Sequence, residues 1–193
     1  VKARIAVLVS GGGTNLQALL DAQVAGALRS GEVVLVVSDQ PGAYALERAR
    51  SMGVEAAVLT EDFEAQLRDL LEARDIDLVV LAGFMRILSA DFTADFDRRI
   101  INVHPSLIPA FCGKGFYGLR VHRAALDYGV KVTGATVHFV NEIPDGGEII
   151  AQKAVPVHPD DTPETLQRRV MEEAEWLLLP EACEMISEQR SDR

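Results

Sequence analysis

Asn102 and His104 lie two residues apart in the short apolar run Ile100-Ile101-Asn102-Val103-His104. In a strand, residues at that spacing point to one face. An amide N–H and an imidazole are suitable donors to an oxyanion that develops during acyl transfer. A buried histidine satisfied by backbone carbonyls is the plainer reading of His104, and the spacing leaves both open. Asp145, in Pro144-Asp145-Gly146-Gly147, would stabilise an imidazolium and raise its pKa if it lay beside His104. Asp-Gly in a loop is more often a turn, and sequence alone does not bring residue 145 to residue 104. The third candidate is Ser10-Gly11-Gly12-Gly13-Thr14-Asn15, between a strand and a helix. Small residues there let backbone N–H groups approach an anion, and the helix start adds partial positive charge. No Gly-Lys-Ser/Thr follows, so it is not a P-loop, and Leu16 spoils a dinucleotide fingerprint. A tight turn needing glycine for its shape alone is equally allowed.

Other polar residues are weaker candidates. His122 and His158 read as surface or loop residues, and His138 as a satisfied core histidine or a partner to the site. Cys112 sits beside Gly113 with nothing arranged to lower its pKa. Two cysteines, Cys112 and Cys183, form no disulfide framework. No set of His, Cys or acids has metal spacing, so no metal is expected.

These residues need a scaffold, and the first half of the chain supplies one. Short apolar runs at 5–9, 33–37, 56–59, 78–82 and 100–104 read as strands buried on both faces. Between them, helical spacing covers 15–27, 44–52 and 63–71. The alternation implies right-handed crossovers and a three-layer, doubly wound, mostly parallel α/β sheet. Ligands of such sheets sit beyond the carboxyl ends of the strands. The glycine turn, Gly83 to Arg86 and Asn102 to His104 all fall there. From Pro105 to Leu119 the chain reads as a long loop. A short helix over 121–128, partly alternating strands near 132–140 and 148–157, and a final helix follow. Thr162-Pro163-Glu164 reads as that helix's N-cap with proline at the first helical position. A bend or break is expected near Pro180.

The 193 residues suit one domain. The expected halves are 1–100, holding a phosphate, and 101–193, carrying the chemistry. A hydrophobic fraction of 48% with 25% charged residues is that of a folded globular chain. The formal net charge of −10 argues against a nucleic-acid surface. No apolar run nears the roughly 18 residues of a membrane span. Val1 to Ser10 reads as a strand and not as a leader, so a reducing cytoplasm is the expected compartment.

Four segments, taken in order, resemble one family over nearly the whole chain. They are Ser10 to Gln17, Leu81 to Leu88, Asn102 to Pro109, and Val137 to Val140 with Asp145-Gly146-Gly147. The chain is similar to the phosphoribosylglycinamide formyltransferases, a folate-dependent family of purine synthesis. The resemblance implies a Rossmann-like formyltransferase fold with an antiparallel C-terminal part, and 10-formyltetrahydrofolate as co-substrate. It implies small-molecule partners and allows a homodimer. It implies that Asn102, His104 and Asp145 are catalytic, and that Gly13, Thr14, Asn15 and Glu175 contact the ribonucleotide. Met85, Arg86, Ile87, Leu88, Asn141, Glu142, Ile143 and Pro144, together with Asn102, would hold the folate. The family usually has His after the acid at 175, where this chain has Trp176. An arginine that contacts folate in some members, just before the helix at Phe63, has no match here. The implied mechanism is direct transfer, with Asn102 and a protonated His104 on the formyl oxygen and Asp145 keeping His104 charged. Rival readings are a methionyl-tRNA formyltransferase, a formyltetrahydrofolate hydrolase and a nucleotide-binding module without catalysis.

Overall fold

Strand β1, Ala3–Val9, is buried almost throughout, and its side chains divide by parity between two cores. Ile5, Val7 and Val9 enter one; Ala6 and Leu8 enter the other. A strand covered on both faces needs this continuous apolar run. The computed structural model describes residues 1–191. Strands β2, Gly31–Ser38, and β3, Glu55–Val58, pair parallel on one side of β1. Strands β4, Leu78–Leu81, and β5, Ile100–His104, pair parallel on the other. Then direction reverses: β6, Val132–Phe139, is antiparallel to β5, and β7, Ile149–Pro156, is antiparallel to β6. The sheet order is β3-β2-β1-β4-β5-β6-β7.

Helices cover both faces. On the first core lie α1, Thr14–Val24, and α2, Tyr44–Ser51. On the second lies α3, Phe63–Glu72, which buries Phe63, Leu67 and Leu71 there. The second core is completed by α4, Ala90–Asp95, through Phe92. The sequence pattern does not mark α4. It is only six residues long, too short for a visible apolar stripe, yet a parallel β4–β5 pair requires a crossover. Its start is marked by Ser89, whose hydroxyl accepts from the Phe92 N–H.

On the first face follow α5, Leu119–Tyr128, α6, Pro163–Val170, and α7, Trp176–Ser191. Thr162 caps α6 as expected: its hydroxyl accepts from the Thr165 N–H, and the Thr165 hydroxyl accepts from the Thr162 N–H. The expected break near Pro180 is absent, since α7 runs through it. Pro180 lies in the second turn, where its missing N–H deprives only the Trp176 carbonyl. The irregularity comes earlier, as a π-helical turn over Met171–Glu175. There the Trp176 N–H reaches back five residues to the Met171 carbonyl.

His122 also departs from expectation. It lies on the inner face of α5, 1% exposed, and its Nδ1 has no hydrogen-bond partner. Apolar spacing on α5 turns this position inward with Val121 and Ala125. Burial, with His104 adding a smaller push, lowers its pKa to about 4. Among the described residues, no helix is long and apolar enough to cross a membrane.

The β6–β7 connection depends on a close approach. A Cβ on Gly147 would stand 1.7 Å from the Phe139 carbonyl oxygen. Gly147→Ala should therefore lower stability by about 1–3 kcal/mol, read as a lower urea midpoint. A second expectation concerns acid. Because His122 stays neutral in the fold, the unfolded chain takes up its proton first as pH falls through about 6.5. Stability should drop between pH 7.5 and 5, with roughly 2 kcal/mol of the loss due to His122. Urea titrations at both pH values should show a smaller loss for His122→Gln.

Candidate active site

Strand β5 carries the change from core to site. Ile101 and Val103 face the first core, and Ile100 faces the second. Asn102 and His104 share the Ile100 face. Antiparallel pairing sets His138 opposite Asn102 and Thr136 opposite His104. Because β6 runs backwards, its exit at Phe139 lies beside Ile101, toward the start of β5. The 140–148 connection must therefore fold back along β5 to present Asp145. It does so with Asp145 itself at φ 56, in the left-handed region.

The three residues of the expected trio converge. Asp145 Oδ1 lies 3.5 Å from Asn102 Nδ2, and Oδ2 lies 3.6 Å from His104 Nδ1. His138 Nε2 is 3.7 Å from Asp145 Oδ1 and 3.2 Å from Asn102 Nδ2. Two backbone carbonyls fix the ring tautomers, since a carbonyl can only accept. His138 Nδ1 donates to the Phe139 carbonyl at 2.7 Å, so its Nε2 accepts from Asn102. His104 Nε2 donates to the Phe111 carbonyl at 2.8 Å, so its Nδ1 lone pair faces Asp145. The Gly113 N–H donates to Asp145 Oδ2 at 2.8 Å. The Phe111 and Gly113 backbone groups were not visible in the sequence, because side-chain type carries no record of them.

The loop supplying those groups is itself pinned. The Thr136 hydroxyl donates to the Ser106 carbonyl and accepts from the Ile108 N–H. The Ser106 hydroxyl donates to the Ala110 carbonyl at 2.6 Å. Gln152 adds a bond to the Ile108 carbonyl.

Electrostatics revise one expectation. Asp145 does push the His104 pKa up, helped by the Phe111 carbonyl, but burial pushes it down harder. The net direction is below the ordinary imidazole value, so His104 rests neutral near pH 7. Burial alone would raise Asp145; His138, His104 and the Gly113 amide outweigh it and hold the carboxyl below its usual range. Asp145 therefore rests ionised. Burial and the nearby Asp145 charge both raise Cys112, which removes it as a thiolate nucleophile.

The glycine turn lies two strands away. Leu8 of β1 pairs with Leu81 of β4, which pairs with Asn102 of β5. At ordinary strand spacing, Asn102 is then roughly 10 Å across from Leu8, with the turn starting two residues further along. Gly13, at φ 76, precedes the first turn of α1. A Cβ there would meet Ala45 at 2.6 Å. Asn15 Nδ2 donates to Glu175 Oε2 at 2.9 Å, tying the turn to the π-helical segment. Burial raises the Glu175 pKa, against the Asn15 bond. The Asn15 Oδ1 atom is buried without a partner. Thr14 is exposed, its hydroxyl 4.0 Å from the Met171 sulfur.

Met85, Arg86 and Ile87 are exposed after β4, while Leu88 is buried. Glu142, Ile143 and Pro144 are exposed on the 140–148 connection, and Asn141 Oδ1 accepts from the Ile143 N–H. Met85, Ile87 and Ile143 thus offer apolar surface from loops that meet β4 and β5. No group of three or more His, Cys, Asp and Glu among the described residues could hold a metal ion.

The comparisons with known proteins agree with this geometry. The chain is 43% identical over 191 residues to the trifunctional purine biosynthetic protein adenosine-3 of Drosophila melanogaster, covering 95% of this chain and 14% of that one. It is 40% identical over 195 residues to the chloroplastic phosphoribosylglycinamide formyltransferase of Arabidopsis thaliana, covering 97% and 66%. The chain thus spans from about a seventh to just under two thirds of these relatives' lengths. The crystal structure of glycinamide ribonucleotide transformylase 1 from Symbiobacterium toebii superposes with a TM-score of 0.90 at 46% identity, covering 98% of this chain and 89% of that one. With the formyl transferase profile matching residues 3–182, the chain belongs to the formyl transferase family.

Proposed function

We propose that this chain transfers the formyl group of 10-formyltetrahydrofolate to the amine of 5'-phosphoribosylglycinamide. The single observation that carries the reading is the convergence of Asn102, His104 and Asp145, two strands from the glycine turn that opens α1. The relatives named for this reaction support the substrate pair. Gly13, Thr14 and Asn15 hold the phosphate through backbone N–H groups at the start of α1. Glu175, oriented by Asn15, contacts the ribonucleotide. The folate lies against Met85 to Leu88 and Asn141 to Pro144, where the exposed apolar side chains of Met85, Ile87 and Ile143 suit a flat heterocycle. It supplies the electrophilic formyl carbon. Its substrates are soluble metabolites, which fits a cytoplasmic enzyme, and no second subunit is needed to complete the trio.

The chain's own groups then do three things. They hold both reactants, which makes the encounter effectively intramolecular. Asn102, whose amide nitrogen donates at 3.2 Å to His138 and more distantly, at 3.5 Å, to Asp145, exchanges the longer bond for one to the formyl oxygen as charge gathers on it. Neutral His104 accepts at Nδ1 the proton that the attacking amine sheds, and returns it to the departing folate nitrogen. While charged, the imidazolium stands beside the Asp145 carboxylate. A protonated resting His104, as the resemblance implied, is not needed: its charge arises within the reaction, where burial costs least because the oxyanion is its neighbour.

The reading is tested by following formyl folate absorbance with and without the ribonucleotide. Turnover should require both substrates; formyl release without the amine would favour hydrolysis instead. His104→Ala and Asp145→Asn should each lower kcat by roughly 100- to 1,000-fold. Rate should rise with pH through an acid limb centred below about 6.5, the ordinary histidine value. In Asp145→Asn the residual activity should titrate at still lower pH, because the charge that raises His104 is gone.

A further inference from the structure

One buried carboxylate plays no part in the chemistry above. Asp39 follows the last residue of β2 and is 5% exposed. Its Oδ1 accepts from the Ser10 hydroxyl at 2.7 Å. The Ser10 oxygen in turn accepts from the Met85 N–H at 2.9 Å. Its Oδ2 accepts from Arg86 Nε at 3.2 Å and, more distantly, from the Gln40 amide at 3.4 Å. The Arg86 guanidinium also donates to the Thr60 carbonyl and lies 4.9 Å over the Phe63 ring, which stacks on Phe84. Asp39 therefore gathers the exits of three adjacent strands, β2, β1 and β4. One exit opens the phosphate turn, and another opens the segment assigned to folate.

We infer that Asp39 is a positioning residue for the folate segment, setting Met85 through the Ser10 hydroxyl and Arg86 through a charged bond. The inference rests on the reading of residues 85–88 as folate-binding. The polarity of the chain of bonds depends on an acceptor-only group. A carboxylate takes hydrogens from Ser10 and Arg86 at once. A carboxamide offers one acceptor and one donor, so it keeps one arm and sets an N–H against the other. The Ser10 backbone is held separately, by its N–H to the Gly83 carbonyl at 3.2 Å. Loss of the carboxylate should thus displace 85–86 more than the glycine turn.

The experiment measures steady-state constants for both substrates in the wild type, Asp39→Asn, Arg86→Gln and the double variant. The KM for formyl folate should rise about tenfold or more in Asp39→Asn, as charge-assisted bonds are the strong ones. The ribonucleotide KM and kcat should change by less than about threefold. The two substitutions should be non-additive in folate KM, because Asp39 and Arg86 are in direct contact and belong to one network of bonds. An unchanged folate KM, an equal rise for both substrates, or strict additivity would overturn the role of Asp39. A lowered Tm with unchanged constants would do the same, since that is the mark of a scaffold residue. If Asp39→Asn does not fold, Arg86→Gln with Ser10→Ala gives the same comparison, one arm at a time. Failure of the wild type to transfer formyl would sink the functional reading instead, which keeps the two failures apart.

Discussion

The site depends on one change of direction in the sheet. Five parallel strands could deliver Asn102 and His104 to a strand end, but a sixth parallel strand would bring its own exit to the same edge. Antiparallel β6 instead sets His138 directly across from Asn102 and leaves its exit low on β5. The following connection then returns along β5 and delivers a carboxylate to residues already in place. Asp145 at φ 56 and the close passage of Gly147 beside Phe139 belong to that return path. Strand pairing, a long-range constraint, decides here which acid meets which histidine.

Charge in the site follows from burial more than from pairing. A histidine beside a carboxylate is expected to be charged, yet His104 is held neutral because its ring is out of water and Phe111 occupies its outer nitrogen. The carboxylate keeps its charge: its pKa lies below the usual range, and the Gly113 N–H donates to it at 2.8 Å. The resting site thus holds one negative charge and a free lone pair, the arrangement suited to receiving a proton. The proposed transfer, with a proton moving between His104 and the reacting atoms, needs no activated nucleophile, and Cys112 is held as a thiol by burial and the Asp145 charge.

Much of this was legible in the sequence, for identifiable reasons. Buried strands announce themselves as apolar runs, and the i, i+2 relation put Asn102 and His104 on one face. Thr162 with Pro163 marked a helix start that the structure shows with both reciprocal bonds. Helix α4 was missed because six residues display no period, although parallel β4 and β5 demanded a crossover. His122 reads as a surface residue from its polar type alone, whereas its place beside Val121 and Ala125 on the inner stripe of α5 decides its burial. Asp145 could be placed only by resemblance, since it reaches β5 through a tertiary fold-back. The Phe111 carbonyl and the Gly113 amide leave no trace in residue type.

The π-helical turn at Met171–Glu175 has a consequence for chain length. It carries one residue more than an α-helical turn would. Upstream, Leu166 and Val170 face the first core; downstream, Leu178, Leu179 and Ala182 face it too. The extra residue is what keeps both stripes in phase while turning Glu175 toward Asn15. Removing a single residue there would rotate everything after it by about 100°, moving Leu178 to the exposed place of Leu177 and Pro180 into the buried place of Leu179. This short stretch therefore acts as a phase adjuster, and its residue count is constrained more tightly than its composition.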